Sequence, residues 1–418
     1  MGLYNELTQR IETFEPQAAK RATVYVCGVT PYDTTHLGHA FTYTSFDILI
    51  RYLEFRGYRV SYVQNITDID DDILRKAREV GQNWREMGDR WTAHFIEDMK
   101  SLNVRPPDYF PRATDGMAEI IGTVKALLKA GFAYESGGNV YFHIDAWPEF
   151  GKLSRLSREE MFRVAIERGN NPKDPNKRDP LDFVLWQAQG SGEPAWESPW
   201  GPGRPGWHIE CSTLATHYLG NPVDIHGGGA DLVFPHHECE IAQSEVASGK
   251  KPFVRFWLHI AMVRLGVEKM SKSLGNLVLV RDLLKSWSPD ALRLYLGAHH
   301  YREGWEHNPR ELGQAEELAR KLSRALRESG GRGAPLDPGP RLAAFQVAME
   351  QDLGTPAALQ VVQKLAEDVI LAAGSSREVK AAQDALQDMG WVFGLQFGRE
   401  GGNSTVTAGW NEHLKRFS

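Results

Sequence analysis

Thr23-Val24-Tyr25-Val26 is a run of β-branched and aromatic residues that ends at Cys27-Gly28, and it reads as a buried strand stopping at a turn. Downstream, from Gly38 to Tyr58, the apolar residues Phe46, Leu49, Ile50, Leu53 and Phe55 recur at helical steps, with Gly57 as the stop. Arg59-Val60-Ser61-Tyr62-Val63-Gln64-Asn65-Ile66 then reads as a second strand. Residues 23–66 therefore have the proportions of a strand–helix–strand unit, which implies an α/β fold with a parallel sheet. Ligands in such sheets bind at the carboxyl ends of the strands.

Working outward, residues 1–114 form the first half of this sheet domain. Residues 115–205 change character, with turn-rich runs such as Asn170-Asn171-Pro172-Lys173-Asp174-Pro175 and Gly201-Pro202-Gly203-Arg204-Pro205-Gly206, and are expected to be an insertion. The sheet is rebuilt over 206–288, where Val223-Asp224-Ile225-His226 runs into Gly227-Gly228-Gly229 and Phe253 to Ile260 makes another strand. From 289 to 418 strand signals nearly stop. Leu312, Ala315, Leu318, Ala319, Leu322 and Leu326 keep one face, as do Leu359, Val362, Leu365 and Val369, so a helical bundle is expected there. The glycine-rich, polar stretch Gly398 to Ser404 is not expected to be ordered.

The chain of 418 residues is 42% hydrophobic and 24% charged, which excludes disorder, collagen and, with three cysteines, a disulfide framework. Its formal charge of −6, from 48 basic and 54 acidic residues, offers no generally basic surface for nucleic acid, although a local stripe can still bind phosphates. The first sixteen residues lack the apolar core of a signal peptide, and no long apolar run follows. A cytoplasmic protein with no membrane contact is expected, and its Cys27, Cys211 and Cys239 are read as buried thiols or metal ligands.

Two short segments could carry chemistry. Thr35-His36-Leu37-Gly38-His39 lies between a strand and a helix start, where imidazoles and backbone N–H groups can meet phosphate oxygens. Glu268-Lys269-Met270-Ser271-Lys272-Ser273-Leu274-Gly275-Asn276 places two ammonium groups and small hydroxyls in one loop, suited to clamping a polyphosphate. Taken singly, the first is as well read as two surface histidines at a helix cap and the second as a solvated basic loop.

Together and in this order, His-x-Gly-His and Lys-Met-Ser-Lys-Ser resemble the paired signatures of class I aminoacyl-tRNA synthetases, a likeness that runs from about residue 20 to 305. Cys27-Gly28, Tyr62 to Asp71, Arg204 to Cys211 and Phe234-Pro235-His236-His237-Glu238 add a similarity to the cysteine-activating branch. The resemblance implies a Rossmann-like catalytic core and a zinc ion held by Cys27, Cys211 and His236. Glu240 matches the fourth ligand of the synthetases. It further implies that His36, His39, Lys269 and Lys272 are catalytic, and that ATP binds with Mg2+. Gly28, Val29, Thr30, Thr42, Thr67, Trp207, Gly229, Ala230, Asp231 and Val263 are implied as contacts of the substrate or adenylate. Cys239 receives no role.

Two families share this site, cysteinyl-tRNA synthetase and mycothiol ligase, which joins cysteine to the amine of glucosaminyl-inositol. Cys27 to Ala40, with Thr30-Pro31-Tyr32-Asp33 and His39, is similar to the ligase, as is Glu167 to Asp182. Residues 305–418 carry 13 Lys plus Arg against 15 Asp plus Glu, a poor surface for RNA. Glu240-Ile241-Ala242-Gln243-Ser244-Glu245 is instead the synthetase form, and the ligase lacks the glutamate at 240. The main expectation is a monomeric, ATP-dependent cysteine ligase acting on an amino-sugar. The alternatives are tRNA and another acceptor.

Overall fold

The computed structural model describes residues 1–32, 35–266, 268–269, 277–397 and 404–417. An N-terminal hairpin pairs β1 (Gly2–Asn5) with β2 (Arg10–Thr13). The unit expected first follows: β3 (Arg21–Val29), α1 (Leu37–Phe55) and β4 (Arg59–Ile66), with β3 and β4 parallel and Tyr25 opposite Val63. Two helices, α2 (Asp71–Val80) and α3 (Trp84–Ser101), come next, and α4 (Met117–Lys129) leads into the inserted segment.

That segment is more regular than its turn-rich sequence suggests. β5 (Ala133–Ser136), β6 (Asn139–Phe142), β7 (Phe183–Ala188) and β8 (Gly203–Pro205) form an antiparallel sheet in sequence order, with α5 (Arg158–Glu167) between β6 and β7. Strands of three to six residues give too little alternation to be read from sequence alone.

The main sheet resumes with α6 (Trp207–Leu219), β9 (Val223–Gly229), α7 (Glu238–Ser248) and β10 (Val254–Ile260). Its order is β10-β9-β3-β4, and every pairing is parallel. β11 (Val263–Leu265) then pairs with β12 (Glu268–Lys269) and, after α8 (Val280–Leu283) and α9 (Pro289–Gly297), with β13 (Trp305–Glu306). The remainder is helical: α10 (Pro309–Arg327), α11 (Gly339–Glu350), α12 (Thr355–Gly374), α13 (Lys380–Val392) and α14 (Ser404–Leu414). Of the stretch expected to lack order, residues 398–403 lie outside the described residues.

Side chains alternate across a strand, so one strand serves two cores. Val24 and Val26 of β3 enter a core shared with α1, α9 and the helical bundle. Tyr25 and Cys27 point the other way, into a core shared with α4, α6, α7 and the inserted sheet. This two-sided burial is what a parallel sheet covered by helices on both faces requires. Gly28 is needed where β3 and β4 draw together, because a Cβ there would lie 1.5 Å from the Asn65 carbonyl oxygen.

The bundle is joined to the sheet by buried charge. Asp47 on α1 accepts from Arg51 Nε at 2.9 Å, from the guanidinium of Arg293 on α9 and from the Arg105 amide at 2.7 Å. Burial alone would raise the Asp47 carboxyl, but the two arginines hold it below the ordinary aspartate value. Arg293 also donates to Phe393 O at 2.6 Å, and Arg51 to Asn103 O at 2.7 Å. At the far end of the chain α14 lies against α3. Trp410 is fully buried there, with its indole N–H donating to Val104 O at 2.7 Å.

Candidate active site and metal centre

Three segments that end or begin at the carboxyl edge of the sheet converge behind β3. Cys27 sits near the end of β3, Cys211 on the second turn of α6, and His236, His237 and Glu240 at and just before the start of α7. Cys27 Sγ and Cys211 Sγ, 184 residues apart in sequence, lie 3.8 Å from each other. Cys27 Sγ is 3.2 Å from His237 Nε2 and 3.6 Å from Glu240 Oε1, which is in turn 3.0 Å from His236 Nε2. Donor atoms of Cys27, His236, His237 and Glu240 all fall within 4.8 Å of one another.

The set Cys27, Cys211, His236 and Glu240 is thus brought together, and sequence reasoning missed two neighbours. His237 enters the donor cluster, and His226, at the turn of β9 into its glycines, places Nε2 3.5 Å from Cys27 Sγ. The tandem His236-His237 and the histidine just before Gly227-Gly228-Gly229 were the available signals. Further out, His237 Nδ1 meets His259 Nε2 at 2.7 Å and His208 Nδ1 meets His236 Nδ1 at 3.0 Å.

The electrostatics call for a cation. Glu240 is fully buried, and its Oε2 has no hydrogen-bond partner among the described residues. Burial pushes its carboxyl well above the ordinary glutamate range. Its ion-pair partners among the described residues are the imidazoles of His226, His236 and His237. Burial, followed by repulsion between the rings, drives His226 and His237 well below the usual histidine value. Burial likewise raises the Cys27 thiol, whereas at Cys211 contacts with Cys27 and His236 outweigh burial and bring the thiol down to about 7. Thiols, imidazoles and one carboxylate, dry and close, fit a divalent metal ion. Ionising a carboxyl in such surroundings costs several kcal/mol, roughly, and a cation bound beside it would offset that cost.

Beside this cluster, Asn65 at the end of β4 acts as a bracket. Its Oδ1 accepts from the Gly28 amide at 2.8 Å and lies 3.5 Å from Cys211 Sγ, while its Nδ2 donates to Thr67 Oγ1 at 3.3 Å. The Trp207 ring stacks on His236 with centroids 4.4 Å apart. Val29 and Thr67 are buried and joined by the Thr67 N to Val29 O bond, and Thr30 is half-buried just beyond. Gly229 ends β9 and Ala230 and Asp231 follow it, where Asp231 pairs with Arg168 at 3.1 Å. The Val263 side chain lies in the core beside the bundle, so only its main chain is left to meet a ligand.

The histidine turn caps α1. His36 Nδ1 accepts from the amides of Gly38 at 3.1 Å and His39 at 3.4 Å, and the His36 and His39 rings stack at 3.8 Å. Those two amides, expected from the sequence to be open to phosphate, are taken up by His36 itself. The acceptor role of Nδ1 leaves the ring proton on Nε2. Gly38 permits this fold-back, since a Cβ there would meet the His36 ring at 2.9 Å. Thr42 completes the turn by donating to Gly38 O at 3.1 Å. Lys269 pairs through its backbone with Arg264. Lys272 lies outside the described residues.

The sequence matches the family described as "tRNA synthetases class I (C) catalytic domain" over residues 13–317 and the DALR domain over residues 344–398. It is 43% identical over 399 residues to a cysteine–tRNA ligase of Dehalococcoides mccartyi, covering 94% of this chain and 86% of that protein. It is 45% identical over 394 residues to an L-cysteine:1D-myo-inositol 2-amino-2-deoxy-alpha-D-glucopyranoside ligase of Thermomonospora curvata, covering 92% and 93%. In fold it is similar to methionyl-tRNA synthetase of Mycobacterium tuberculosis in complex with methionyl-adenylate, with a TM-score of 0.64 at 16% identity over 89% of this chain and 88% of that one. The parallel sheet, the converging donors and these likenesses agree: the chain belongs to the class I (C) tRNA synthetases, ATP-dependent ligases, and carries a DALR domain behind the catalytic one.

Proposed function

We propose that this protein activates cysteine with ATP and transfers the cysteinyl group to tRNA. Glu240 is the observation that carries the choice of acceptor. It stands on the first turn of α7 within reach of Cys27 and His236, and the resemblance to the cysteine-activating branch implies a glutamate there in the tRNA-charging form of the site. The relatives support the same side, since cysteine–tRNA ligases of several organisms match at 41–48% identity.

Cys27, Cys211, His236 and Glu240 would hold zinc, with His237 as a further donor. When bound, that ion supplies a soft Lewis acid that prefers the thiolate of cysteine to the hydroxyl of serine. Trp207 walls the amino-acid pocket, and Asn65 and Gly28 fix the strand ends that frame it. ATP enters with magnesium. A carboxylate oxygen of cysteine bonds to the α-phosphorus as the α–β bond breaks and pyrophosphate leaves. His36 and His39 hold the phosphate oxygens, and Lys269 and Lys272 balance the charge that moves onto pyrophosphate. Gly28, Val29, Thr30, Thr42, Thr67, Gly229, Ala230, Asp231 and the Val263 main chain bracket the adenylate. A terminal ribose hydroxyl of tRNA then attacks the carbonyl, loses its proton and expels AMP.

An amino-sugar acceptor is the second reading, favoured by Thr30-Pro31-Tyr32, by His39 and by the relative that acts on such a sugar and matches over 93% of its length. Labelled cysteine and ATP, offered to tRNA and to glucosaminyl-inositol in separate reactions, decide between them. An ester on tRNA alone supports the proposal. An amide on the sugar alone replaces it with the second reading.

A further inference from the structure

The histidine turn is fastened to a remote part of the chain. Leu37 N donates to Val278 O at 2.8 Å, Val280 N donates to Thr35 O at 3.1 Å, and His36 pairs with Leu279 as an antiparallel bridge. Residues 278–280 come one residue after the lysine–serine stretch, which ends at Asn276. Backbone bonds thus tie the histidine turn to the residues that come after the lysine–serine stretch.

One side chain spans both strands of this fastening. Asp98, on the last turn of α3, is 5% exposed. Arg281 Nη2 on one strand lies 3.4 Å from its Oδ2, and Thr35 on the other is close enough for its side chain to favour the ionised carboxyl. Burial pushes this carboxyl up, against the pull of Thr35 and Arg281, so holding an acid here works against its own solvation. Asparagine or leucine would fill the space without that cost. An acid is of use because a carboxylate can take a hydroxyl and a guanidinium together, which fixes Thr35, and hence the His36 cap of α1, relative to residues 278–281.

We propose that Asp98 is a positioning residue for adenylate formation, holding the histidine turn in register with the segment that follows the lysine–serine stretch through Thr35 and Arg281. This rests on the reading of His36 and His39 as the phosphate-holding turn. Among the described residues, the hydrogen bonds and ion pairs of Asp98 reach neither the metal cluster nor the amino-acid pocket, so it acts on the rate of the phosphoryl step and leaves cysteine binding alone. A displacement of about 1 Å in such a turn lowers a rate by roughly 100-fold.

The test is cysteine-dependent ATP–pyrophosphate exchange by the full chain. Asp98→Asn should lower kcat by about 10- to 100-fold, with KM for cysteine unchanged within about twofold and metal content unchanged. Asp98→Glu should recover part of the loss. Arg281→Met should act in the same direction, and the double variant should be no worse than Asp98→Asn alone. If Asp98→Asn does not fold, Arg281→Met carries the test by itself. Unchanged kcat in Arg281→Met, or a fall in kcat matched by a rise in KM for cysteine, overturns the inference. His36→Ala and His39→Ala serve as controls. If they keep full exchange, the phosphate-turn reading falls and this inference with it. If they lose exchange while Asp98→Asn and Arg281→Met retain it, the inference alone falls.

Discussion

Cys211 concentrates the chemistry of the site in one atom, because its thiol is the one held down, at about 7, while Cys27 is pushed up. Cys211→Ser should lower zinc content by more than about 100-fold in affinity and remove discrimination against serine, read by metal analysis and by exchange with each amino acid. Retention of both would remove Cys211 from the metal set. Gly38→Ala probes a different atom pair. The added methyl displaces the His36 ring, so exchange should fall by about 10- to 100-fold while the melting temperature moves by only a few degrees, as roughly 1 kcal/mol would produce. Residue types at this scale were legible only in part. The ligands lie 184 and 213 residues apart, and no periodicity links them, so resemblance supplied what spacing could not. His226 and His237 stayed hidden because a histidine in a strand or before a helix has many other uses. Cys239 is buried in α7, and the donor cluster found among the described residues does not include it.

Among the elements, α2 offers a clean pH test. Its N-cap Asp70 accepts from Ile73 N at 2.7 Å, yet burial, with Asp71 and Asp72 adding to it, raises its carboxyl to about 7. The folded state therefore keeps a proton that the unfolded chain has released above about pH 4, and stability falls as pH rises from about 4 to 7. Asp70→Asn keeps the accepting oxygen and should flatten that slope, gaining on the order of 1 kcal/mol or more at pH 8 in denaturant titrations; an unchanged slope would show that Asp70 titrates normally. The strand–helix–strand unit was legible because its buried strands and amphipathic helix repeat with their own periods, whereas β5 to β8 are too short to do so. α14 was equally obscure, since a polar stretch precedes it and its anchoring residue, Trp410, shows its value only against Phe95 and Phe110. Trp410→Ala should release this helix at a cost of about 3–5 kcal/mol in local stability, measured by hydrogen exchange across α3 and α14, and unchanged protection would refute the docking.

For the whole molecule, the two cores on opposite faces of the sheet divide the labour. The core on the bundle side depends on the buried charges at Asp47, Arg51 and Arg293, and Asp47→Asn should cost about 3–5 kcal/mol, because both arginines lose the carboxylate that offsets their burial; calorimetry at pH 7 measures it. The order of elements and the division into sheet and bundle followed from the pattern of apolar residues. The sharing of cores did not, since it arises from which face of β3 each side chain takes. The other core contains Cys27 and Cys211, with Glu240 against them, so the donors are part of its packing. A metal ion held there would bind the native chain more tightly than the unfolded one, and at a thousandfold excess over its dissociation constant it would add up to about 4 kcal/mol to folding. The amount of this protein that survives turnover in a cell would then follow the supply of that metal, making the enzyme's abundance a gauge of metal sufficiency even before any substrate is bound.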